Sequence, residues 1–391
     1  YLKSKNINHI ICDDQNTLIR YYTIKGSILI CRPFSIPAYI QNKNTVINFN
    51  FSMLPVQFEK ELRPRITVED INLFLMSHHK FKVPEHVSRL TFSSEIAKVK
   101  ENILSLELNE IKNEIDQLLK NQIEPASIMH IGKLWGQYLN RCYQIKKDKD
   151  TDLQNKIDEA VSNKILKDGI KEVFYSTAKE LKSVDKILDY LSEQDYEKIA
   201  LICFDGMGWA EWEIIKSYLT KHNILFTDKP QFALIPTITS ISRTAIFSGK
   251  YDTGFNSQVK DNVSFKQFWD SKKFESAFYR ADELKSDDML IGFNRVAVLF
   301  NLIDDISHGM TIPKDSDSKF SFFHTIENYC NDAKIERIFN LLISSNFKIF
   351  ICSDHGSVIS QGNGRKIEKY LIDKSSKRAT VVEKSILTDT V

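Results

Sequence analysis

The stretch Lys198-Ile-Ala-Leu-Ile-Cys-Phe204-Asp205-Gly206-Met207-Gly208 decides the fold. Six apolar residues end abruptly in Asp-Gly, which reads as a strand running into a tight turn. The same grammar recurs downstream. The spacing predicts further strands over Phe232–Ile235, Ser276–Tyr279, Val296–Ile303 and Ile349–Cys352, with helical stretches between them. Strands alternating with helices predict a mostly parallel sheet flanked by helices. No internal repeat interrupts the pattern.

Polar clusters fall where these runs end. They are Asp205-Gly206-Met207-Gly208, Pro236-Thr237-Ile238-Thr239-Ser240, Asp304 with His308 four residues on, and Asp354-His355-Gly356. In open α/β sheets ligands bind outside the carboxyl ends of the strands, so the four clusters converge on one rim. Three Asp, two His and one Thr supply hard oxygen and borderline nitrogen donors, a set suited to zinc or manganese rather than calcium. Asp304 and His308 would share a face if a helical turn follows the strand. Thr239 precedes the apolar-periodic stretch Ile241–Phe247, which places it at or near a helix cap. There its hydroxyl would face a phosphate held by the helix N-terminus, and a metal would make it a usable nucleophile. Taken singly each piece has a bland explanation: Asp-Gly forms turns, Thr caps helices, and Asp-x-x-x-His arises by chance. Their order and shared strand-end position carry the joint reading.

The N-terminal half reads differently. Short apolar runs at His9–Cys12 and Ser27–Cys31 predict strands within residues 1–62. Asp13 and Asp14 after the first run form an acidic pair, which an ordinary turn explains better than a Mg²⁺ site. Residues 67 to about 190 carry helical periodicity. Thr67-Val68-Glu69-Asp70 resembles a capping box. Leu104, Leu108, Ile111, Ile115, Leu118 and Leu119 make one stripe, and Ile128, Ile131, Trp135, Tyr138, Leu139 and Cys142 a second. A third runs through Ile157, Ile165, Ile170, Val173 and Phe174. His78, His79 and His130 lack ligand spacing. The expected domains are a strand-containing segment at 1–62, a helical bundle at 63–192 and an α/β domain at 193–391.

Composition narrows the class. A net charge of +2 argues neither for a dedicated nucleic-acid surface nor against a local basic patch. Six cysteines without a Cys-x-x-Cys pair argue against a zinc ribbon and suit a reducing cytoplasm. No apolar run is long enough to span a membrane, and no secretory signal opens the chain. A first residue of Tyr1 and an end at Val391 fit a piece of a longer protein.

The motifs Phe204–Gly208, Pro236–Gly249, Asp304–Gly309 and Ser353–Gly356 resemble the alkaline phosphatase superfamily, and specifically its PglZ domains. The resemblance runs from about Glu197 to the C-terminus. It implies a phosphodiesterase or phosphatase with two divalent metal ions, zinc or manganese. Asp205, Asp354 and His355 would hold one metal with Thr239 as its nucleophilic ligand, while Asp304 and His308 would hold the second. Ser240, Ser242 and Arg243 are the corresponding phosphate contacts. The implied mechanism is in-line attack by Thr239, a phosphothreonine intermediate, and its hydrolysis by water. The family's second site takes a further His beyond the Asp-His-Gly motif, and this sequence has none after His355. PglZ proteins imply a bacterial phage-exclusion (BREX) setting, with other defence proteins as partners and a phosphoester substrate, a nucleotide or nucleic acid among the candidates. The competing expectation is a non-catalytic metal-binding scaffold. Haloacid-dehalogenase chemistry is disfavoured because Gly206 and Met207 replace Asp-x-Asp. A P-loop is disfavoured because Tyr251 follows Gly249-Lys250.

Overall fold

The computed structural model describes residues 9–12, 14–23, 28–31, 36–42, 53–78, 80–169, 177, 179–235, 237–251, 260–286, 288–309, 318–331, 334–358, 372–375 and 380–382. Asp13, His79, Ile170, Val173, Phe174 and Pro236 lie outside them. The chain divides into two compact units, Tyr1–Glu107 and Leu108–Val391.

In the first unit, strands β1 (His9–Cys12) and β2 (Ile28–Cys31) pair in parallel across the helix Gln15–Tyr21. Asp14 caps that helix, its carboxylate accepting from the Thr17 N–H at 2.7 Å. The acidic residue is therefore doing a turn's work, as expected of Asp at an N-cap. Strands β3 (Gln57–Phe58) and β4 (His86–Val87) form a second short parallel pair. The helix Val68–His78 opens on a reciprocal box: the Asp70 N–H donates to Thr67 Oγ1, and the Thr67 N–H donates to Asp70 Oδ2, both at 3.1 Å. β4 interrupts the stretch expected to be helical throughout. His86–Val87 is too short a run for periodicity to separate from its helical surroundings.

In the second unit, β5 (Ile199–Phe204), β6 (Ser276–Arg280), β7 (Arg295–Phe300) and β8 (Lys348–Cys352) form a parallel sheet in the order β6-β7-β5-β8. Alternation along β5 explains its unbroken apolar run. Ala200, Ile202 and Phe204 pack into one core, while Ile199, Leu201 and Cys203 pack into another. β7 divides likewise, with Val296, Val298 and Phe300 on one face and Ala297 and Leu299 on the other. Both faces are covered, as all-parallel sheets require. An α/β fold with a parallel sheet is thus what the sequence predicts. A final pair, β9 (Ile372–Ser375) and β10 (Thr380–Val382), is antiparallel.

Two strand boundaries need correction. Phe232–Ile235 makes only an isolated bridge, Phe232 pairing with Ser183. Pro230 and Pro236 flank the run, and proline cannot extend a ladder. Its apolar residues serve the core instead, with Phe232 and Leu234 buried. The run Val296–Ile303 is strand only to Phe300, and the helix Leu302–Gly309 begins two residues later. Asn301 precedes that helix, and two acidic residues fill its first turn, both typical of a helix start. Asp304 therefore stands on a helix rather than at the strand's tip.

The helices Pro125–Gln144 and Thr151–Asp168 belong to this second unit. Pro125–Gln144 packs on Trp209–Lys221, the helix that follows the first strand-end loop. At the crossing, a Cβ on Gly136 would lie 2.2 Å from Trp209 Cβ, so only glycine permits this approach. Lys133 lies over the Trp209 ring at 5.6 Å, and Gln137 reaches Glu213 at 3.3 Å.

Candidate active site

Three adjacent strands, β7, β5 and β8, deliver the polar clusters to one edge of the sheet. Asp205 follows β5 directly and is held by its own N–H, which donates to the Phe300 carbonyl at 2.8 Å. Gly206 then turns the chain with φ +76, a left-handed conformation that disfavours any side chain. Asp354 and His355 follow β8 through Ser353. The Ser353 hydroxyl accepts from the Met207 N–H at 3.0 Å and reaches the Phe204 carbonyl at 2.8 Å, tying the two loops together.

The buried groups are aimed by backbone. Asp354 is fully buried, and its Oδ1 accepts from the N–H groups of Gly206 (3.1 Å) and His355 (2.9 Å). Its Oδ2 is buried with no hydrogen-bond partner, and so is Asp205 Oδ1. Buried carboxylate oxygens without partners are costly unless a cation meets them. His355 Nε2 lies 3.5 Å from Asp354 Oδ2 and 3.8 Å from Asp205 Oδ1. His355 Nδ1 is 3.1 Å from the Gly356 carbonyl, which can only accept. Nδ1 therefore carries a proton, and in the neutral imidazole Nε2 would offer its lone pair to a cation, the arrangement found in metal-ligating histidines. Thr239 Oγ1 lies 2.9 Å from that Nε2, within hydrogen-bond distance.

Asp205, Asp304 and His355 each offer a ligand atom within 4.8 Å of the others. The residues present fit a divalent cation: two orphaned carboxylate oxygens and an imidazole lone pair share one pocket, with Asp304 beside them. Burial pushes the Asp205 carboxyl up to about 7, helped by the Asp354 charge and opposed by Arg243. Burial likewise pushes Asp354 to about 6, against its backbone donors. Crowded, desolvated carboxylates of this kind are what a metal relieves.

The remaining expected residues fall around this centre. Thr239 is the first residue of the helix Thr239–Ser248, whose cap is Ile238 with no side-chain hydrogen bond. The expected cap position is one residue off, and the difference matters. The hydroxyl is not spent on the helix and faces His355 instead. Ser240 is exposed, while Ser242 is fully buried with its hydroxyl unpartnered. His308 lies one turn beyond Asp304 on the same helix face, its Nε2 3.2 Å from Asp304 Oδ2, with about half of the side chain exposed. Arg243 Nη1 donates to Asp205 Oδ2 at 2.6 Å. Arg243 Nε lies 2.7 Å from Asp261 Oδ2, close enough for an ion pair though not aligned as a hydrogen bond. Sequence reasoning missed Asp261, which sits in no motif and follows no strand. It also missed Glu211, a buried carboxylate that accepts from the Ser357 hydroxyl at 3.1 Å.

A doubly covered parallel sheet with Asp, Thr, Asp and Asp-His at its carboxyl edge defines the alkaline phosphatase-like class. A family model described as the BREX system PglZ alkaline phosphatase-like domain matches residues 184–389, just over half of the chain. The chain belongs to that PglZ family, which places it among alkaline phosphatase-like phosphoesterases and in a phage-defence setting. No curated protein matches it. Among the described residues no helix is long and apolar enough to cross a membrane.

Proposed function

We propose that this chain carries the site of a metal-dependent phosphoesterase whose nucleophile is Thr239. The observation that carries the reading is the 2.9 Å contact between Thr239 Oγ1 and His355 Nε2, beside two buried, unpartnered carboxylate oxygens. Asp205, Asp354 and His355 would hold one divalent metal, zinc or manganese, with Thr239 as fourth ligand. Asp304 and His308 would contribute to a second. A metal there supplies Lewis-acid stabilisation of the phosphoryl group and lowers the hydroxyl's pKa. Thr239 Oγ1 would attack phosphorus in line, forming an Oγ1–P bond as the opposite P–O ester bond breaks and the alcohol group departs with a proton. Water would then cleave the Oγ1–P bond, releasing the phosphate product and restoring the threonine hydroxyl. The helix N-terminus behind Thr239, with Ser240, Ser242 and Arg243 on its first turns, would receive the phosphoryl oxygens. Nucleotides and nucleic acids are the substrate classes in view. The defence setting implies cytoplasmic action with other defence proteins as partners.

The metal-loaded protein should hydrolyse bis-p-nitrophenyl phosphate, lose that activity to EDTA, and lose roughly three orders of magnitude on Thr239→Ala, the scale of removing a catalytic group. Thr239→Ser should retain most of it. A wild-type protein loaded with zinc or manganese that turns over no phosphoester would overturn the reading.

The exposure of His308 favours a second reading, a non-catalytic metal-binding scaffold. In that case Thr239→Ala would leave the phage-defence phenotype intact.

A further inference from the structure

We propose that Asp261 is the positioning residue for Arg243, fixing its guanidinium so that Nη2 meets a phosphoryl oxygen; the inference rests on the phosphoesterase reading above. Arg243 stands four residues after Thr239 on one helix, so the two share a face. Two carboxylates bracket the guanidinium, Asp205 Oδ2 at Nη1 (2.6 Å) and Asp261 Oδ2 at Nε (2.7 Å). Nη2 meets no acceptor among the described residues. The two carboxylates differ in kind. Asp205 belongs to the metal-ligating cluster, and a cation at its Oδ1 would draw away part of the charge that now holds Arg243. Asp261 is outside that cluster. It is the first residue of the helix Asp261–Ser271, which packs along the Thr239 helix. Its side chain is only 15% exposed, so the pair is shielded from solvent screening on that side. An arginine has many rotamers to lose, and an anchored fork loses fewer on meeting a phosphate. Asp261 thus supplies the anchor that persists when the metal is bound.

The test is calorimetric binding of inorganic phosphate to the zinc-loaded full chain, alongside turnover of bis-p-nitrophenyl phosphate. Asp261→Asn should weaken phosphate binding roughly tenfold, the worth of a charge-assisted contact, with zinc content unchanged. KM should rise more than kcat falls. Asp261→Glu should recover part of the loss, which a merely destabilised fold would not do. In an Arg243→Gln background, Asp261→Asn should cost nothing further. The proposal is overturned by unchanged phosphate affinity in Asp261→Asn and Asp261→Glu, by a full repeat of the loss in the Arg243→Gln background, or by a wild type that binds no phosphate. Phosphate binding that depends on Asp261 without any turnover would leave this inference standing and remove the enzymatic one.

Discussion

Asp354 shows how a single residue can be stabilised by the backbone and still be poised against its own charge. Two N–H groups fix Oδ1, while Oδ2 is buried with no N–H donor and lies 3.5 Å from His355 Nε2. The carboxyls of Asp354 and Asp205 hold their protons to about 6 and about 7, against an ordinary aspartate value of about 4. A carboxyl whose pKa rises on folding binds its proton more tightly in the folded chain. Its contribution to stability is therefore whole at low pH and is lost as pH climbs from about 4 through those folded values. The metal-free protein should lose several degrees of thermal midpoint between pH 5 and pH 8. Asp354→Asn, which keeps an acceptor at Oδ1 and removes the charge, should flatten that slope and abolish metal-induced stabilisation. Zinc should reverse the trend, since its binding competes with protons on the same oxygens. Thermal denaturation across this pH range, with EDTA and with zinc, checks all three. At this scale much was legible in the sequence, because Asp205, Thr239, Asp354 and His355 sit where apolar runs stop. The tautomer of His355 was not, because it depends on where the Gly356 carbonyl points. Asp261 was not legible either, because its partner Arg243 is brought to it only by the packing of two helices.

Elements were readable where one physical signal dominated. β5 was legible to the residue, since an unbroken apolar run bounded by Lys198 and Asp205 admits one interpretation. The run at Val296–Ile303 hid a junction, because a buried strand and a buried helix are equally apolar and Ile303 is wholly enclosed. Helix approach leaves a subtler mark. Nothing in the second apolar stripe says that Gly136 is its tightest point, yet a side chain there would enter the Trp209 backbone. Gly136→Val should cost about 1–3 kcal/mol by overpacking, a fall of several degrees in thermal midpoint. Because Trp209 follows directly on Asp205–Gly208, the same substitution should also weaken zinc binding, whereas a strain confined to the helix would leave it unchanged. Denaturant titration and zinc calorimetry on the one variant separate these effects.

For the whole molecule, the family match and the packing draw different boundaries. The match begins at residue 184, but the helix Pro125–Gln144 packs on Trp209–Lys221, and Tyr143 of the same helix donates to Glu327 at 2.9 Å. Tyr143 packs edge-on against the buried Phe323 and Gly136 packs against Trp209, so removing the helix would uncover apolar surface of the core. Large apolar patches on a free surface drive association. A chain spanning 184–391 should therefore aggregate or unfold without cooperativity, while one spanning 108–391 should show a single cooperative transition and bind zinc as the full chain does. Limited proteolysis of the full chain supplies the independent measurement. Cutting near 107 alone supports the two compact units, and cutting near 62 and 192 supports the three-part division expected from sequence periodicity. Equal solubility and zinc affinity for the 184–391 and 108–391 chains would show that the helix Pro125–Gln144 is an accessory to the PglZ domain. Loss of both in the shorter chain would make it part of the domain's core, because Gly136 and Lys133 then brace the loop that aims Asp205.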